Sequence, residues 1–291
     1  MKSAPENNLF SPNKTLNLRG RLLDLSIPKV MGILNVTPDS FYDGGRFTTE
    51  ASVLQQTEKM LNEGATFIDV GAASTRPGAT EISPEEERSR AVQAIKAIHK
   101  NFPDAFISID TYRADVADAA VQEGAALVND VSGGSLDPAM FARVAALNVP
   151  YVLMHMRGNP QTMTQLATYE NLRKDLLDYF HEKIYQLQLL GIKDVVVDPG
   201  FGFAKGPTQN FELLHHLEDF HILNKPLLVG LSRKSMIWKT LNIAPADALN
   251  GTTVLNTLAL AKGAAILRVH DVKEAVQAVT LISTGKGTHN G

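Results

Sequence analysis

Short runs of apolar and β-branched residues recur along the chain, each followed by a longer segment with helical spacing. The runs are Val30–Val36, Thr66–Gly71, Phe106–Asp110, Ala126–Val131, Tyr151–His155, Asp194–Asp198, Leu227–Ser232 and Ala265–His270. Among the longer segments, Ser52–Asn62 sets Val53, Met60 and Leu61 near one face. "SPEEERSRAVQAIKAIHK" opens with Ser83 as an N-cap, Pro84 at the first helical position and glutamates in the first turn. Ala114–Glu123 ends at Gly124, a C-cap signal. Leu136–Leu147, Tyr169–Leu190, Asn210–Leu223, Ala246–Lys262 and Val272–Ser283 complete the helical set, with Ser235–Leu241 as a short extra helix. Apolar strands alternating with helices predict a parallel sheet covered by helices. Eight such units on roughly 250 residues predict a single α/β domain, a closed (β/α)8 TIM barrel. An open doubly wound sheet is the alternative; its dinucleotide-binding form is disfavoured because no GxGxxG follows the first strand. Residues 1–28 read as an N-terminal lead-in hairpin over the barrel bottom, and residues 29–291 as the barrel domain.

The eighth run breaks the apolar rule. In "AAILRVHDV", Arg268 and His270 stand two apart, so they share one face of a strand. Burying an unpaired charge is costly, so the pair needs a partner. Polar residues close the other runs too: Asn35, Asp110, Asn129, Asp198, and Ser232 with Arg233 and Lys234. In a barrel of this kind the C-terminal strand ends carry the active site.

Taken singly, most of these residues have a plainer reading. Asn35 reads as a turn cap, Asp110 as a helix N-cap and Asp198, before Pro199, as a turn residue. His155 reads as a hydrogen-bonded structural histidine, and Arg113 and Arg157 as surface residues. Phe201 and Phe203 suit either the core or a stacking surface. Asn129 is harder to place this way, because amides are depleted from strands. Lys234 is also awkward, because a cation at a helix start opposes the helix dipole. Their joint placement at one barrel end outweighs the individual readings.

Composition narrows the field. The 291 residues are 44% hydrophobic and 20% charged, with a formal net charge of −3, so no basic excess points to a nucleic-acid partner. There are no cysteines, which removes disulfide, thiolate and iron–sulfur chemistry. The N-terminal residues lack the apolar run of a signal peptide, and no apolar stretch approaches the roughly 20 residues of a membrane span. A soluble cytoplasmic protein is expected.

The polar strand ends divide by chemistry. Asp110, Asn129, Asp198 and Lys234 suit a flat, nitrogen-rich heterocycle, since a carboxylate accepts two parallel N–H bonds from an amino-pyrimidine edge. Arg268, His270, Ser232 and Asn35 suit a phosphate group, with the Asn35 oxygen available to Mg²⁺. "TPDSFYDGGRF" and "GAASTRPGA" read as glycine-rich lids.

"GILNVTPDSFYDGG", "DVGAASTRPGA", "SIDTYRADVADAAVQEGAALVNDVSGG", "LMHMRGNPQTM", "VVVDPGFGFAKG", "GLSRKS" and "LRVHDV" resemble, in order, the motifs of the dihydropteroate synthase family. The resemblance spans residues 32–272. It implies a (β/α)8 barrel, a homodimer, and condensation of 7,8-dihydropterin-methyl diphosphate with 4-aminobenzoate in folate biosynthesis, inhibited by sulfonamides. It implies Asn35 as the Mg²⁺-linked residue and Asp110, Asn129, Asp198 and Lys234 as the pterin set, lined by Met154 and Phe203. It implies Arg268 and His270 as the diphosphate pair, and Thr75, Arg76 and Pro77, with Ser232 and Phe203, as the aminobenzoate side. Arg268, His270, Lys234 and Asp110 are the expected catalytic residues. The chain departs from the family pattern at Ala72–Ala73 and at Ala204, followed by Gly206–Pro207. A methyltetrahydrofolate–corrinoid methyltransferase would share the pterin contacts but not need the "SRKS" and "RVH" cluster. A Schiff-base aldolase would need Lys234 among apolar groups, yet Arg233 and Ser235 flank it. A non-catalytic pterin-binding relative is the remaining alternative.

Overall fold

Alternate residues of a strand face opposite ways, so a barrel strand must satisfy an interior and a helical layer at once. The computed structural model describes residues 14–36, 50–73, 82–159 and 161–284. A hairpin of β1 (Thr15–Leu18) and β2 (Arg21–Asp24) leads into β3 (Lys29–Asn35). Then follow α1 (Glu50–Asn62), β4 (Phe67–Gly71), α2 (Pro84–Asn101), β5 (Phe106–Asp110), α3 (Ala114–Gln122), β6 (Leu127–Asp130), α4 (Met140–Leu147) and β7 (Tyr151–Met154). The chain continues through α5 (Leu172–Leu189), β8 (Val195–Asp198), α6 (Pro207–His215), β9 (Leu228–Val229), α7 (Ser235–Leu241), α8 (Leu249–Ala261), β10 (Ile266–Val269) and α9 (Val272–Thr284). β3 to β10 form one eight-stranded sheet in the order β8-β7-β6-β5-β4-β3-β10-β9. Its pairings are parallel, and a parallel bridge from Val197 to Leu227 links the two edges. The ring is thus the (β/α)8 barrel that the alternation predicts.

Side-chain caps set two helix starts, the first as read from the sequence. Ser83 caps α2 by accepting the Glu86 N–H at 3.1 Å, and Asn171 caps α5 by accepting the Lys174 N–H at 3.1 Å. Several boundaries differ from the sequence expectation, and α4, α6 and β9 show why. α4 starts at Met140 rather than Leu136: Asp137 precedes Pro138, which disfavours helix there, and its Oδ2 instead accepts the Ala114 N–H. α6 stops at His215, and residues 217–223 tighten into a 3₁₀ turn. β9 spans only Leu228–Val229, because the chain turns after Gly230, with the Lys234 N–H bonded to the Leu231 carbonyl and Arg233 at φ +55°.

The barrel interior is layered. At the bottom, Met31, Phe67, Leu127, Val152, Val196, Leu228 and Ile266 form an apolar cluster with Leu16, Leu18 and Leu25 of the lead-in. The hairpin turns at Arg19 (φ +55°) and Gly20 (φ +88°), the positive φ pair of a tight two-residue hairpin. It is tied to the barrel where Arg19 Nη1 donates to the Val121 carbonyl at 2.8 Å and the Asn17 N–H to Asp194 Oδ2 at 2.9 Å. The hairpin therefore plugs the end opposite the polar strand termini. Among the described residues, no helix is long and apolar enough to cross a membrane.

Leu18 is fully buried in this plug. Leu18→Ala is expected to cost about 2–5 kcal/mol of stability, read as a lower urea midpoint at unchanged slope. A loss below about 1 kcal/mol, the range of tolerated core swaps, would show that the hairpin does not seal the bottom.

Candidate active site at the barrel mouth

The interior turns from apolar to polar as the strands rise. Register pairs Asn35 with Gly71, Gly71 with Asp110 and Asp110 with Asn129, so one row crosses four neighbouring strands. Met154 and Asp198 pair across β7 and β8. Asp69 lies two residues below Gly71 on the same face of β4. Gly71 leaves room between two polar groups: a Cβ there would stand 3.5 Å from Asn35 Oδ1 and 3.6 Å from Asp110 Oδ2.

Arg268 reaches into this row from β10. Its Nε donates to Asp69 Oδ2 at 2.6 Å and its Nη2 to Asp110 Oδ2 at 2.5 Å. Asp69 is fully buried and Asp110 nearly so. Asp69 Oδ2 also accepts Asn129 Nδ2–H at 3.0 Å. The second oxygens, Asp69 Oδ1 and Asp110 Oδ1, are buried without a protein partner. Burial pushes the Asp110 carboxyl up to about 7; Arg268 pulls against that, and the Asp69 charge adds to the rise. Burial opposes the Arg268 cation, but Asp69 and Asp110 outweigh it and hold the guanidinium protonated.

The β8 side carries a second cluster. Asp198 Oδ1 accepts the Gly200 N–H at 2.8 Å, and burial raises its pKa while Lys234 opposes the rise. Lys234 Nζ donates to the Phe201 carbonyl and lies 4.9 Å from the centre of the Phe203 ring, a cation–π distance. Burial lowers the Lys234 ammonium to about 8, with Asp198 opposing. The lysine at the start of α7 thus points back over the mouth, not out along its helix. The loop itself is stapled by Lys205, which is buried and donates to the Gly200 and Phe203 carbonyls at 2.9 Å and to His155 Nδ1 at 3.1 Å. Burial brings Lys205 down to about 7 and drives His155 well below the usual imidazole value. A neutral His155 is what an Nδ1 acceptor requires. Gly200 sits at φ +72°, and a Cβ there would meet the His155 carbonyl at 2.1 Å, so only glycine fits. Ala204 holds φ +50°, a left-handed conformation that costs a side chain roughly 1–2 kcal/mol. It is buried against Val131, Met154, Met156 and Met163.

Beside Arg268, the His270 N–H donates to Ser232 Oγ at 3.1 Å, and Ser232 Oγ lies 3.0 Å from His270 Nδ1. Arg233 turns away from the mouth and forms a two-point ion pair with Asp271 at 2.9 and 2.8 Å.

The structure brings together Asn35, Asp110, Asn129, Met154, Asp198, Phe203, Ser232, Lys234, Arg268 and His270 at the ends of the barrel strands and the loops that follow. Thr75, Arg76 and Pro77 lie outside the described residues, as does the "TPDSFYDGGRF" segment. His155 is the hydrogen-bonded core residue expected. Arg113 is not a surface residue: it pairs with the buried Glu87 and donates to the Ile82 carbonyl. Arg157 is partly covered, bonded to Asp175 at 3.0 Å and stacked 4.0 Å over Tyr169. Two members were not foreseen, Asp69 and Lys205. Asp69 carried a usable signal, an acid inside the apolar run "FIDVG", the same kind of cue that marked Asn129.

A protein-family model described as pterin binding enzyme matches residues 31–270. The chain is 44% identical to Escherichia coli dihydropteroate synthase over 266 residues, 91% of this chain and 94% of that one. It superposes on Yersinia pestis dihydropteroate synthase, solved in a sulfonamide drug complex, with TM-score 0.89 at 42% identity, covering 94% of this chain and all of that one. It superposes equally broadly on Xanthomonas albilineans dihydropteroate synthase in complex with 7,8-dihydropteroate, with TM-score 0.84 at 35% identity over 94% of this chain and all of that one. These matches place the chain in the pterin-binding enzyme family, among the dihydropteroate synthases.

Proposed function

We propose that the chain condenses 7,8-dihydropterin-methyl diphosphate with 4-aminobenzoate, releasing dihydropteroate and diphosphate in folate biosynthesis. The observation that carries this reading is the row Asp110–Asn129 facing Asp198 and Lys234. The buried carboxyls of Asp110, with one unsatisfied oxygen, and Asp198 meet an ammonium and an amide around one opening, which suits the alternating donors and acceptors of a pterin edge. Met154 lines the opening, and Phe203, beneath the Lys234 ammonium, offers a ring face.

In the reaction the methylene C–O bond to diphosphate breaks, the aminobenzoate nitrogen forms the new C–N bond, and that nitrogen loses a proton. The leaving group is anionic, so catalysis consists of stabilising its growing charge and holding the two reactants in line. Arg268 and His270 take the diphosphate role. Arg268 spends two donors on Asp69 and Asp110, and its remaining N–H groups serve the phosphates. Ser232 orients the His270 ring through Nδ1. Thr75, Arg76 and Pro77, with Ser232 and Phe203, are assigned to the aminobenzoate side. Asn35 fits the part a protein takes in holding an Mg²⁺ that arrives on a diphosphate, one hard oxygen beside the opening left by Gly71. Among the described residues no group of three or more His, Asp or Glu side chains is placed to hold an ion. Bound there, Mg²⁺ would neutralise charge on the departing diphosphate. The family resemblance further carries a cytoplasmic homodimer; exposed Val254 of α8 and Leu281 of α9 offer apolar surface for the second copy.

Arg268→Ala is expected to reduce kcat or raise KM for the pterin diphosphate by well over about tenfold, from the loss of a charged hydrogen bond. The decisive assay is steady-state turnover with pterin diphosphate and 4-aminobenzoate, with and without Mg²⁺ and a sulfonamide. Folded protein that forms no dihydropteroate refutes the reading.

The pKa values set a pH profile. Asp110 becomes a carboxylate only as pH rises through about 7, and Lys234 loses its charge as pH rises through about 8. The site holds both charges only in the narrow window between. kcat/KM for the pterin diphosphate, which reports the free enzyme, should rise and then fall across that window. Lys234→Arg keeps the cation at higher pH and should move the falling limb upward. An unmoved limb would assign it to another group.

A further inference from the structure

We infer that Asp69, which the functional reading above leaves without a role, is a positioning residue. It fixes which way round the Asn129 amide faces and where the Arg268 guanidinium rests. The inference rests on the proposed pterin site. Asp69 is fully buried on β4. Its Oδ2 takes Asn129 Nδ2–H at 3.0 Å and Arg268 Nε–H at 2.6 Å. An oxygen receiving two N–H donors is an acceptor, so the nitrogen of the Asn129 amide must be the atom that faces it. Turned the other way, the amide would set its carbonyl oxygen against a carboxylate and leave Nδ2 directed at the ligand. Asp69 therefore leaves the Asn129 carbonyl oxygen for the ring, and that oxygen selects a ligand edge that presents an N–H. An edge presenting a lone pair would meet oxygen against oxygen.

The same oxygen sets the height of Arg268. Asp69 sits one inward position deeper than the Gly71–Asp110–Asn129 row. Bonding Nε to Asp69 draws the guanidinium down over the row and leaves the Nη groups to reach Asp110. The residue that orders the ring contact therefore also orders the diphosphate contact, through one atom. Its other oxygen, Oδ1, is buried and unpartnered. Asp69 is held in place by what it positions.

The test is the near-isosteric Asp69→Asn, whose amide no longer dictates the orientation of Asn129. Expected is a rise of at least about tenfold in KM for the pterin diphosphate, with KM for 4-aminobenzoate unchanged within about twofold. Asn129→Ala supplies the second readout. In the native background it should weaken pterin diphosphate binding by about tenfold or more, and in the Asp69→Asn background by less than about threefold, because its orientation is already lost. Calorimetric titration with the pterin diphosphate reads the same coupling without turnover. If Asp69→Asn does not fold, Asp69→Ser takes its place in the same cycle. Wild-type pterin KM in Asp69→Asn, or independent multiplication of the two effects, would overturn the inference. Failure of the native protein to make dihydropteroate would instead overturn the functional reading, so the two failures are distinguishable.

Discussion

Asp69 and Asp110 bring two carboxylates into the barrel mouth, and the guanidinium of Arg268 bonds both. Neither acid would be tolerable there alone, since removing one partner of a buried ion pair costs about 3–5 kcal/mol. The three side chains come from β10, β4 and β5, so the interaction spans the strand between them and pins one side of the ring. It also consumes part of each residue's hydrogen-bonding capacity in a fixed direction. What is left over, Asp110 Oδ1, the Asn129 carbonyl and the remaining Arg268 donors, stays available to a ligand.

The fold permits this arrangement by changing the character of one face partway along most of the strands. The inward positions of β4 run Phe67, Asp69, Gly71, and those of β10 run Ile266 and Arg268, with His270 just past the strand end. Below the change, apolar side chains and the lead-in hairpin close the barrel. Above it, polar side chains line an opening. The outward positions are mostly apolar and pack on the helices, with Asp130 of β6 buried there and bonded to the Tyr151 hydroxyl, so the barrel keeps its stability while its mouth carries groups whose pKa values are displaced by burial. On the other side of the mouth, Lys205 holds the β8 loop by its carbonyls, which places Phe203 and the Lys234 ammonium over the opening. Such a rigid surround suits a reaction that asks for orientation and charge stabilisation.

The period of the pattern made the barrel legible, and the polar residues near the ends of most apolar runs marked the mouth. Arg268 and His270 stood out because a strand offers no ordinary place for them. The limits have equally physical causes. Asp69 lies inside its run, two residues before the end, where the eye takes it for part of the strand. Lys205 sits in a glycine-rich loop, and only the folded path shows that its amine is enclosed by two carbonyls and a histidine. Arg113 looked exposed because its partner, Glu87, comes from the first turn of α2, where an acid has a sufficient explanation in the helix dipole. The short β9 and the late start of α4 reflect turn geometry at Arg233 and at Asp137–Pro138, which apolar spacing does not encode.

The central claim is that the upper inward positions of the barrel form a pterin site organised by Arg268. A crystal structure of the chain with 7,8-dihydropteroate bound tests it most directly. The account predicts the pterin ring at the mouth, hydrogen-bonded to Asp110, Asn129, Asp198 and Lys234, with Arg268 still bonded to Asp69. A ring seated elsewhere, or an Arg268 released from Asp69 with the ring held by other residues, would contradict it.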